Sequence, residues 1–293
     1  MELSVAKTAQ KFDMVIVAAV FLALAPLLTV QRTTDFMIFC IFVLAYDLIY
    51  GYMGRLSFGH MLYLGVGAYG AALSAEHFGG NPFLALFVAV AAGAAVGLVL
   101  GLIVVRTTGA CFALINLAFN QVGYFLALIA LAHWTGGEDG MAAFFDPVWI
   151  LDFDNRTFKF GFVLVCMLGV FYLVKRLTGS SFGILLRSIR ENETRARFLG
   201  YNTYLYKLLA FVLSAALAAL CGAFFVQYNL RVDPGMVMSL DTSMKFVLVT
   251  ILGGAGTLAG PLLGAAVLVP LQEFTRAKWG GLGGGADDDL LRA

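Results

Sequence analysis

Long apolar runs joined by short polar connections constrain this chain more than any other feature. The runs lie near 14–30, 35–53, 83–105, 110–132, 160–174, 208–228 and 245–271, with a glycine-rich apolar segment at 55–75. A helix needs about 20 apolar residues to cross the hydrocarbon core of a bilayer, and the backbone must be helical there because unpaired peptide groups are costly. We therefore predict an all-α, polytopic integral membrane protein with about eight membrane passes.

The composition agrees with a membrane location. Hydrophobic residues make up 61% of the chain and charged residues 13%, whereas soluble domains contain about 25% charged residues. The first apolar run continues well beyond a signal-peptide-like "ALA" at 23–25, so we predict a transmembrane helix there rather than a cleaved leader. We expect membrane lipid, and no nucleic acid, among the partners.

The polar connection 175–207 decides the predicted orientation. It carries seven lysines and arginines against two glutamates, and an excess of basic residues marks cytoplasmic loops. Alternation from this anchor also places Arg55 and Arg106 on the cytoplasmic side. The segments placed outside hold most of the acidic residues, and they are 31–34, 76–82, 133–159 and 229–244.

Within this connection, residues 180–202 have the pattern of a short amphipathic helix. Its apolar residues are Phe182, Leu185, Leu186, Ile189 and Phe198. Arginines and glutamates occupy the positions between them, and Gly200 supplies a stop signal. From the residues alone three interpretations stay open: a solvated face, a helix attracted to anionic lipid, and a docking helix for a partner protein.

Glycines at regular spacing predict close helix packing, because ladders of small residues let helix backbones approach in lipid. Two such ladders are Gly93, Gly97 and Gly101, and Gly256, Gly260 and Gly264. The stretch "GVGAYG", with Gly65 and Gly67, matches the spacing of a dinucleotide-binding loop but lacks the strand and the later acidic residue. We predict that its glycines are packing positions or breaks in a helix. Glycine-rich stretches in both halves are also typical of transporters built from internal repeats.

Asp47, Ser57 and His60 are polar residues in apolar surroundings and are candidates for a solute pathway. A carboxylate at the bilayer centre costs about 2.5–3.5 kcal/mol, so such residues face the bundle interior or water. For Asp47, an ion pair with Arg55 and a place in the pathway both stay open. For His60, hydrogen-bonded packing is the alternative to a role as proton relay or ligand. No metal site is expected, since the other histidines lack metal-ligand spacing.

Three further pathway candidates lie in the apolar run 110–132. Asn116 and Asn120 are four residues apart and therefore share one helix face. Gln121 follows directly, so a polar stripe is expected to cross this span. Hydrogen bonds between helices are the alternative to a solute pathway.

No catalytic motif is present in the sequence. It contains no phosphate-binding loop of the G-x-x-x-x-G-K-[ST] type, no H-E-x-x-H and no G-x-S-x-G. We therefore expect no enzyme activity and no cofactor on this chain. If ATP drives the protein, another chain must bind it.

Four stretches together resemble a known family. They are "GYMGRLSFGHMLYLGVGAYGAAL", "ALINLAFNQVGYFLAL" followed by "TGGEDGM", "SSFGILLRSIRENETRARFLGYNTYLYKLLAFVLSAALAALCGAFF", and "ILGGAGTLAGPLLGAAVL". In this order they resemble the M-type (LivM-like) permease subunits of ABC importers for branched-chain amino acids and related solutes. The resemblance covers most of residues 35–270.

The resemblance implies a multi-pass permease of the bacterial inner membrane that acts by alternating access. Its partners would be a second related permease in a heterodimer, two cytoplasmic ATPase subunits that bind ATP and magnesium, and a periplasmic solute-binding protein. Residues 182–202 would form the coupling helix that contacts the ATPase. The coupling residues implied in this loop are Arg187, Arg190, Glu191, Glu193 and Gly200.

The resemblance also implies one permease domain over 1–278, with the cytoplasmic loop at 175–207. Similar chains continue into a final hydrophobic helix, whereas 279–293 is glycine-rich and acidic and cannot span a membrane. We expect a truncated or altered end, or a variant without that helix. Branched-chain amino acids are the implied solutes, and urea, amides and aromatic acids stay open. The alternative from another class is a self-sufficient secondary transporter or channel.

Overall fold

A computed structural model describes residues 17, 19, 21–22, 30–146, 156–258, 260 and 262–266. Most of the apolar run predicted at 14–30 therefore lies outside the described residues. The tail predicted at 279–293 lies outside them entirely.

The described part of the chain is helical apart from its connections and one antiparallel pair of two-residue strands that are distant in sequence. In chain order the elements are α1 (Val30–Asp47), continued by a π-helical turn over Leu48–Met53, α2 (Met61–His77), α3 (Pro82–Val104), α4 (Ala110–Phe125), continued by a π-helical turn over Leu126–Ala130, α5 (Ala132–Thr135), β1 (Met141–Ala142), α6 (Arg156–Thr178), α7 (Ser181–Phe198), α8 (Thr203–Asn229), β2 (Arg231–Val232), α9 (Pro234–Val237) and α10 (Leu240–Gly253).

The chain is a multi-pass membrane protein. Within the described ranges, six helical spans are long and apolar enough to cross a bilayer: Val30–Met53, Pro82–Val104, Ala110–Ala130, Thr157–Thr178, Thr203–Asn229 and Pro234–Gly253. Helix α2 adds a buried helix of 17 residues. The predicted count of about eight is not reached in this part of the chain, since the first run lies outside it.

Helices α1, α2 and α8 form the centre of the bundle. Of the 18 consecutive residues with the highest mean hydropathy, 89% are buried in α1 and its π-helical turn, against 22% in α3 and 28% in α4. Helices α3 and α4 therefore expose most of their apolar side chains, as expected of helices that face lipid or another membrane subunit.

Helix α3 packs on α8 through its smallest residues. Apart from Pro82 and Val104 at its ends, its buried positions are two alanines and three glycines: Ala85, Ala89, Gly93, Gly97 and Gly101. A Cβ built on Gly93 would overlap the side chain of Ala219, and one on Gly97 would lie 2.5 Å from the Cβ of Ala215. The small residues thus let two helix backbones approach closely.

The connections group at the two ends of the bundle as the predicted orientation requires. At one end Gly80 accepts a 3.0 Å hydrogen bond from the amide of Asp146, and β1 pairs antiparallel with β2 in the register Met141–Val232. At the other end the Arg106 guanidinium lies 5.6 Å from the ring of Tyr204. This second end also holds Arg55 and α7, and we call it the cytoplasmic end after the orientation that the sequence predicts.

Candidate functional site

Helix α1 continues as a π-helical turn and then ends. Residues 54–60, which we call the first break, are not helical, and Gly54 has φ +73°. Irregular backbone at membrane depth is tolerated only where protein or water satisfies its polar groups. Here the amide of Ser57 donates to the hydroxyl of Tyr46 (3.3 Å) and the carbonyl of Phe58 accepts from Ser243 (2.5 Å).

A second break follows α10. Residues 254–258 leave the helix, with Gly254 at φ +98° and Gly256 at φ +85°, and helical residues resume at 260 and 262–266. The sequence leaves open whether the apolar run 245–271 is broken, and the structure places a break in it at 254–258. Gly256 lies in a turn rather than on a helix face, so its ladder with Gly260 and Gly264 is interrupted.

Gly260 and Gly264 nevertheless pack tightly. A Cβ on Gly264 would overlap the carbonyl of Val249 and would lie 2.8 Å from the Cα of Gly253, and one on Gly260 would overlap the carbonyls of Gly253 and Gly254. The chain after the second break thus turns back against the end of α10.

The second break meets the end of α1 at Asp47. Its Oδ1 accepts a 2.8 Å hydrogen bond from the amide of Gly256, across 209 positions of sequence. Asp47 is fully buried, and its Oδ2 has no hydrogen-bond partner among the described residues. The ion pair with Arg55 that the sequence left open is not formed, because Arg55 binds Glu193 instead, with Nη2 2.9 Å from Oε2.

His60 ends the first break inside an aromatic enclosure. Its Nε2 lies 2.7 Å from the hydroxyl of Ser214, which itself donates to the carbonyl of Ala45. Because that hydroxyl has only one proton, it accepts from Nε2–H, and in a neutral imidazole Nδ1 then carries no proton. Nδ1 and the hydroxyl of Ser57 are buried and have no partner in the described part of the chain. The surrounding rings belong to Phe42, Tyr46, Tyr63 and Phe211.

The three polar residues of α4 do not form one stripe. Asn116 donates to the carbonyl of Phe112 in its own helix (2.8 Å), and Asn120 donates to the carbonyl of Met238 (3.0 Å). Both are buried in the bundle. Gln121 is half-buried and lines an apolar cavity of about 320 Å³ formed by residues of α4 and its π-helical turn. Adjacent helix positions point about 100° apart, which separates Gln121 from Asn120.

The remaining predicted packing glycines lie at helix contacts of two kinds. A Cβ on Gly67 would overlap the backbone of Ala219 in α8, and one on Gly101 would lie 2.8 Å from the Leu208 side chain. Gly65 instead abuts the side chain of Met238. Gly67 therefore sets the distance between two helices, whereas Gly65 makes room for a side chain.

A larger apolar cavity, of about 700 Å³, lies between α2, α3, α4 and α5. Most of its lining side chains are aliphatic or aromatic. Tyr69, Trp134 and Thr135 are the lining residues with polar side-chain atoms. The Tyr69 hydroxyl is buried without a partner among the described residues, and the Thr135 hydroxyl donates to the carbonyl of Ala127. Its polar groups are thus few and lie on α2 and α5.

The predicted cytoplasmic helix is present as α7, but it is kinked. Asn192 has extended backbone angles (φ −156°, ψ 95°), and its Oδ1 accepts a 2.8 Å hydrogen bond from the amide of Arg195. It therefore caps a second short helical segment. The connection is also shorter than the predicted 175–207, since α6 continues to Thr178 and α8 begins at Thr203. Gly200 has φ +88°, as expected of a glycine stop.

Glu193 holds the second segment of α7 against the bundle. We call Glu193 and its four partners, Arg55, Arg197, Thr203 and Lys207, the Glu193 cluster. Oε1 lies 2.7 Å from the ammonium of Lys207 and 2.8 Å from Arg197, and it accepts from Thr203 at 3.3 Å. Oε2 binds Arg55. The Lys207 side chain is only 4% exposed, so this is a partly buried ionic network.

The pKa of Glu193 is lowered from its ordinary value. Burial alone would raise it, but the hydrogen bonds and positive charges of Lys207, Arg197 and Arg55 outweigh that effect. Since the folded pKa is depressed, the stability that Glu193 contributes is present above the unfolded pKa, about 4.3. It is lost as the pH falls through the folded pKa.

We expect the stability difference between the native chain and Glu193→Gln to shrink as the pH is lowered from about 6 to below 4, across the ordinary glutamate pKa. Thermal unfolding in detergent micelles at a series of pH values measures it. Glu191→Gln is the matched control, because Glu191 is an exposed neighbour on the same helix. A constant difference across this range contradicts the lowered pKa.

The arginines of the first segment also turn toward the bundle. Arg187 donates to the carbonyl of Thr178 (3.1 Å) and lies over the ring of Tyr52 at 5.9 Å. Arg190 donates through Nη1 to the carbonyl of Gly51 in the π-helical turn. Three of the five residues expected to contact an ATPase, Arg187, Arg190 and Glu193, therefore contact this chain's own helices.

The outward side of α7 carries exposed apolar side chains. Phe198 is 88% exposed, Leu199 71% and Ile184 59%. Beside them runs a groove of about 400 Å³ lined by α7 and the following turn. Ile184 and Leu199 both line this groove, so these two exposed apolar side chains lie on one surface.

Several residues of the site carry no signal in the sequence. Ser214, Lys207 and Ser243 lie in or beside ordinary apolar helices, and their partners are more than ten positions away. The capping function of Asn192 has a local signal, since asparagine is favoured at the start of a helix. Within the described part, no three His, Cys, Asp or Glu side chains are grouped to hold a metal ion.

The chain is similar to permease proteins of known transport systems. The family model described as "Branched-chain amino acid transport system / permease component" matches residues 28–280. The high-affinity branched-chain amino acid transport system permease protein LivM of Escherichia coli (strain K12) is 27% identical over 295 residues, which cover 91% of this chain and 69% of LivM.

Two Salmonella typhimurium (strain LT2) proteins described as high-affinity branched-chain amino acid transport system permeases are also similar. LivM is 28% identical over 272 residues, covering 85% of this chain and 64% of that protein. LivH is 28% identical over 114 residues, covering 39% of this chain and 36% of LivH. The chain thus spans about two thirds of the length of its LivM relatives. No solved structure matches it.

Proposed function

This chain belongs to the family of permease components of branched-chain amino acid transport systems, and from that premise we propose that it is the membrane-spanning subunit of an ABC importer. It moves a branched-chain amino acid or a related small solute from the periplasm to the cytoplasm across the bacterial inner membrane. A permease component is a transport subunit rather than an enzyme. ATP and magnesium bind to separate ATPase subunits.

The outward side of α7 is the observation that carries this proposal. Phe198, Leu199 and Ile184 are exposed at the cytoplasmic end, beside the 400 Å³ groove. Arg187, Arg190 and Glu193 of the same helix already contact this chain's own residues. A partner that covers the apolar side chains removes them from water, at about 25 cal/mol for each Å² buried. An ATPase subunit is the partner proposed for this surface.

The complete importer contains further subunits. LivM and LivH are both described as permease proteins of branched-chain amino acid transport systems, which supports a heterodimer of two related permeases. Two ATPase subunits bind at the cytoplasmic end, and a periplasmic protein delivers the solute to the other end. Alternating access then opens the pathway to one side at a time.

The solute is proposed to carry an aliphatic side chain. The 700 Å³ cavity between α2, α3, α4 and α5 has an apolar lining with few hydroxyl groups, and apolar pockets favour apolar ligands. Such a lining can contact an aliphatic side chain, which urea and acetamide do not have. Competition of leucine, urea and acetamide for uptake by the reconstituted importer tests this choice, and inhibition by urea or acetamide at concentrations where leucine has no effect contradicts it.

We expect Phe198→Glu to weaken capture of the ATPase subunits about tenfold or more, as found for central apolar residues of interfaces. ATP-driven uptake into liposomes should fall in parallel. Copurification of the tagged permease with its ATPases measures capture. Phe144→Glu is the matched control, because Phe144 is 73% exposed on the opposite end of the bundle. This variant should capture the ATPase subunits to within about twofold of the native chain, well below the tenfold loss at an interface residue.

Liposomes that contain this chain alone provide the decisive comparison. Uptake by the chain alone, driven by an ion gradient, overturns the proposal in favour of a secondary transporter or channel. The proposal is also overturned if the native chain captures no ATPase subunit. If Phe198→Glu captures the ATPase subunits as the native chain does, the outward side of α7 is not part of the interface.

A further inference from the structure

We propose that Arg190 passes movement of α7 to both broken segments of the membrane domain, and so couples ATP hydrolysis to solute movement. This inference rests on the proposed function. Arg190 is then a positioning residue for transport rather than a contact for the ATPase. Four observations carry it.

First, one guanidinium touches both breaks. Nη1 of Arg190 donates to the carbonyl of Gly51, just before the first break. A Cβ on Gly256, in the second break, would lie 3.0 Å from the same nitrogen. A Cβ on Gly54 would lie 2.5 Å from the Cγ of Arg190. The side chain therefore fills the space between α7 and the two breaks.

Second, the π-helical turn leaves the Gly51 carbonyl available. In an α-helix this carbonyl would accept from the amide of Arg55, four residues later. Here the Arg55 amide donates to Ile49 instead (3.1 Å). Arg190 takes the vacated acceptor, and a hydrogen bond from a charged donor is stronger than a neutral one.

Third, the second break is fastened to the end of α1 and to the π-helical turn that leads into the first break. Asp47 lies one turn before Gly51 and accepts from the amide of Gly256 at 2.8 Å. A Cβ on Gly51 would overlap that amide nitrogen and Oδ1 of Asp47. Because no side chain fits between these backbones, a displacement of one break is transmitted to the other rather than absorbed by rearranging side chains.

Fourth, α7 is fastened on both sides of its kink. Arg190 precedes Asn192 and holds the first segment to the breaks, whereas Glu193 follows it and holds the second segment to Arg55 and Lys207. The outward side of α7 stays free for the ATPase. A push on that side therefore reaches α1, α8 and α10 through these two contacts, and only Arg190 reaches the second break.

The test uses the complete importer in liposomes, with Arg190→Ala and Arg190→Lys. We expect Arg190→Ala to capture the ATPase subunits and to hydrolyse ATP, but to move about tenfold fewer solute molecules per ATP, because a hydrogen bond from a charged group is lost. Arg190→Lys keeps the charge and should recover part of the ratio. Arg176→Ala is the matched control, an exposed arginine at the cytoplasmic end of α6.

Each outcome decides between the proposals. An unchanged ratio of solute to ATP in Arg190→Ala overturns the inference. So does loss of ATPase capture by both Arg190 variants, since Arg190 would then serve assembly. If the native importer captures no ATPase or shows no ATP-driven uptake, the proposed function itself fails. A lowered ratio in Arg176→Ala as well shows that any lost arginine uncouples transport, and this too overturns the specific assignment.

Discussion

The Gly67→Ala variant is expected to lose about 3 kcal/mol of folding free energy, the upper part of the range for overpacked cores. A Cβ at Gly67 overlaps the backbone of Ala219, so the two helices must separate. Helix α8 presents its own glycine to α2 a turn later, where a Cβ on Gly222 would overlap the carbonyl of Leu64. Separation therefore weakens both contacts in the centre of the bundle.

Thermal unfolding in detergent micelles and the yield of folded protein measure this loss. Gly169→Ala in α6 is the matched control, because a Cβ there meets no atom within 4 Å. The control should be neutral or more stable by about 0.5–1 kcal/mol, since alanine is the better helix former. If the two variants are equally stable, close approach of α2 and α8 does not limit stability.

The second large effect is expected at the Glu193 cluster. Glu193→Leu leaves Lys207 without its carboxylate in surroundings where its side chain is only 4% exposed. Removing one partner of a buried ion pair costs about 3–5 kcal/mol. We expect the lower value, about 3 kcal/mol, because the Glu193 side chain keeps 17% exposure and Arg55 and Arg197 can turn toward water.

A double substitution tests the physical reason. Glu193→Leu with Lys207→Leu removes both buried charges, so we expect it to be more stable than Glu193→Leu alone, as for other ion pairs replaced by apolar residues. Glu191→Leu is the exposed control and should change stability by no more than about 0.5 kcal/mol. A double variant that loses the sum of the two single losses contradicts the pairing of Glu193 with Lys207.

The membrane class and most span positions follow from the sequence alone. Hydropathy is a local property, so the runs near 83–105 and 208–228 correspond to α3 and α8 within a few residues. The ladder Gly93, Gly97 and Gly101 is also legible, since the spacing of small residues shows which face of α3 can approach a neighbour. Its partner, α8, cannot be named from the same pattern, because several helices offer alanines and glycines.

The site was only partly predictable. Arg190 and Glu193 were singled out through the resemblance, and their placement against the chain's own helices differs from the expected contact with an ATPase. The sequence predicts one amphipathic helix over 180–202, whereas the backbone leaves the helix at Asn192 and Phe198 is exposed rather than on the buried face with Leu185, Leu186 and Ile189. The sequence leaves open a pairing of Arg55 with Asp47, the nearer carboxylate in sequence. In the structure Arg55 binds Glu193 instead.

By itself the sequence determined the class of protein, the approximate spans and a helix between α6 and α8, because hydropathy and residue spacing act over short distances along the chain; the orientation in the membrane stays a prediction from charge bias. Only the tertiary structure decided that the second break meets α1 at Asp47 and that Arg190 of α7 contacts the π-helical turn beside them. Contacts between residues 209 positions apart depend on which helices become neighbours. Small residues permit such contacts, but packing of the whole bundle selects among them.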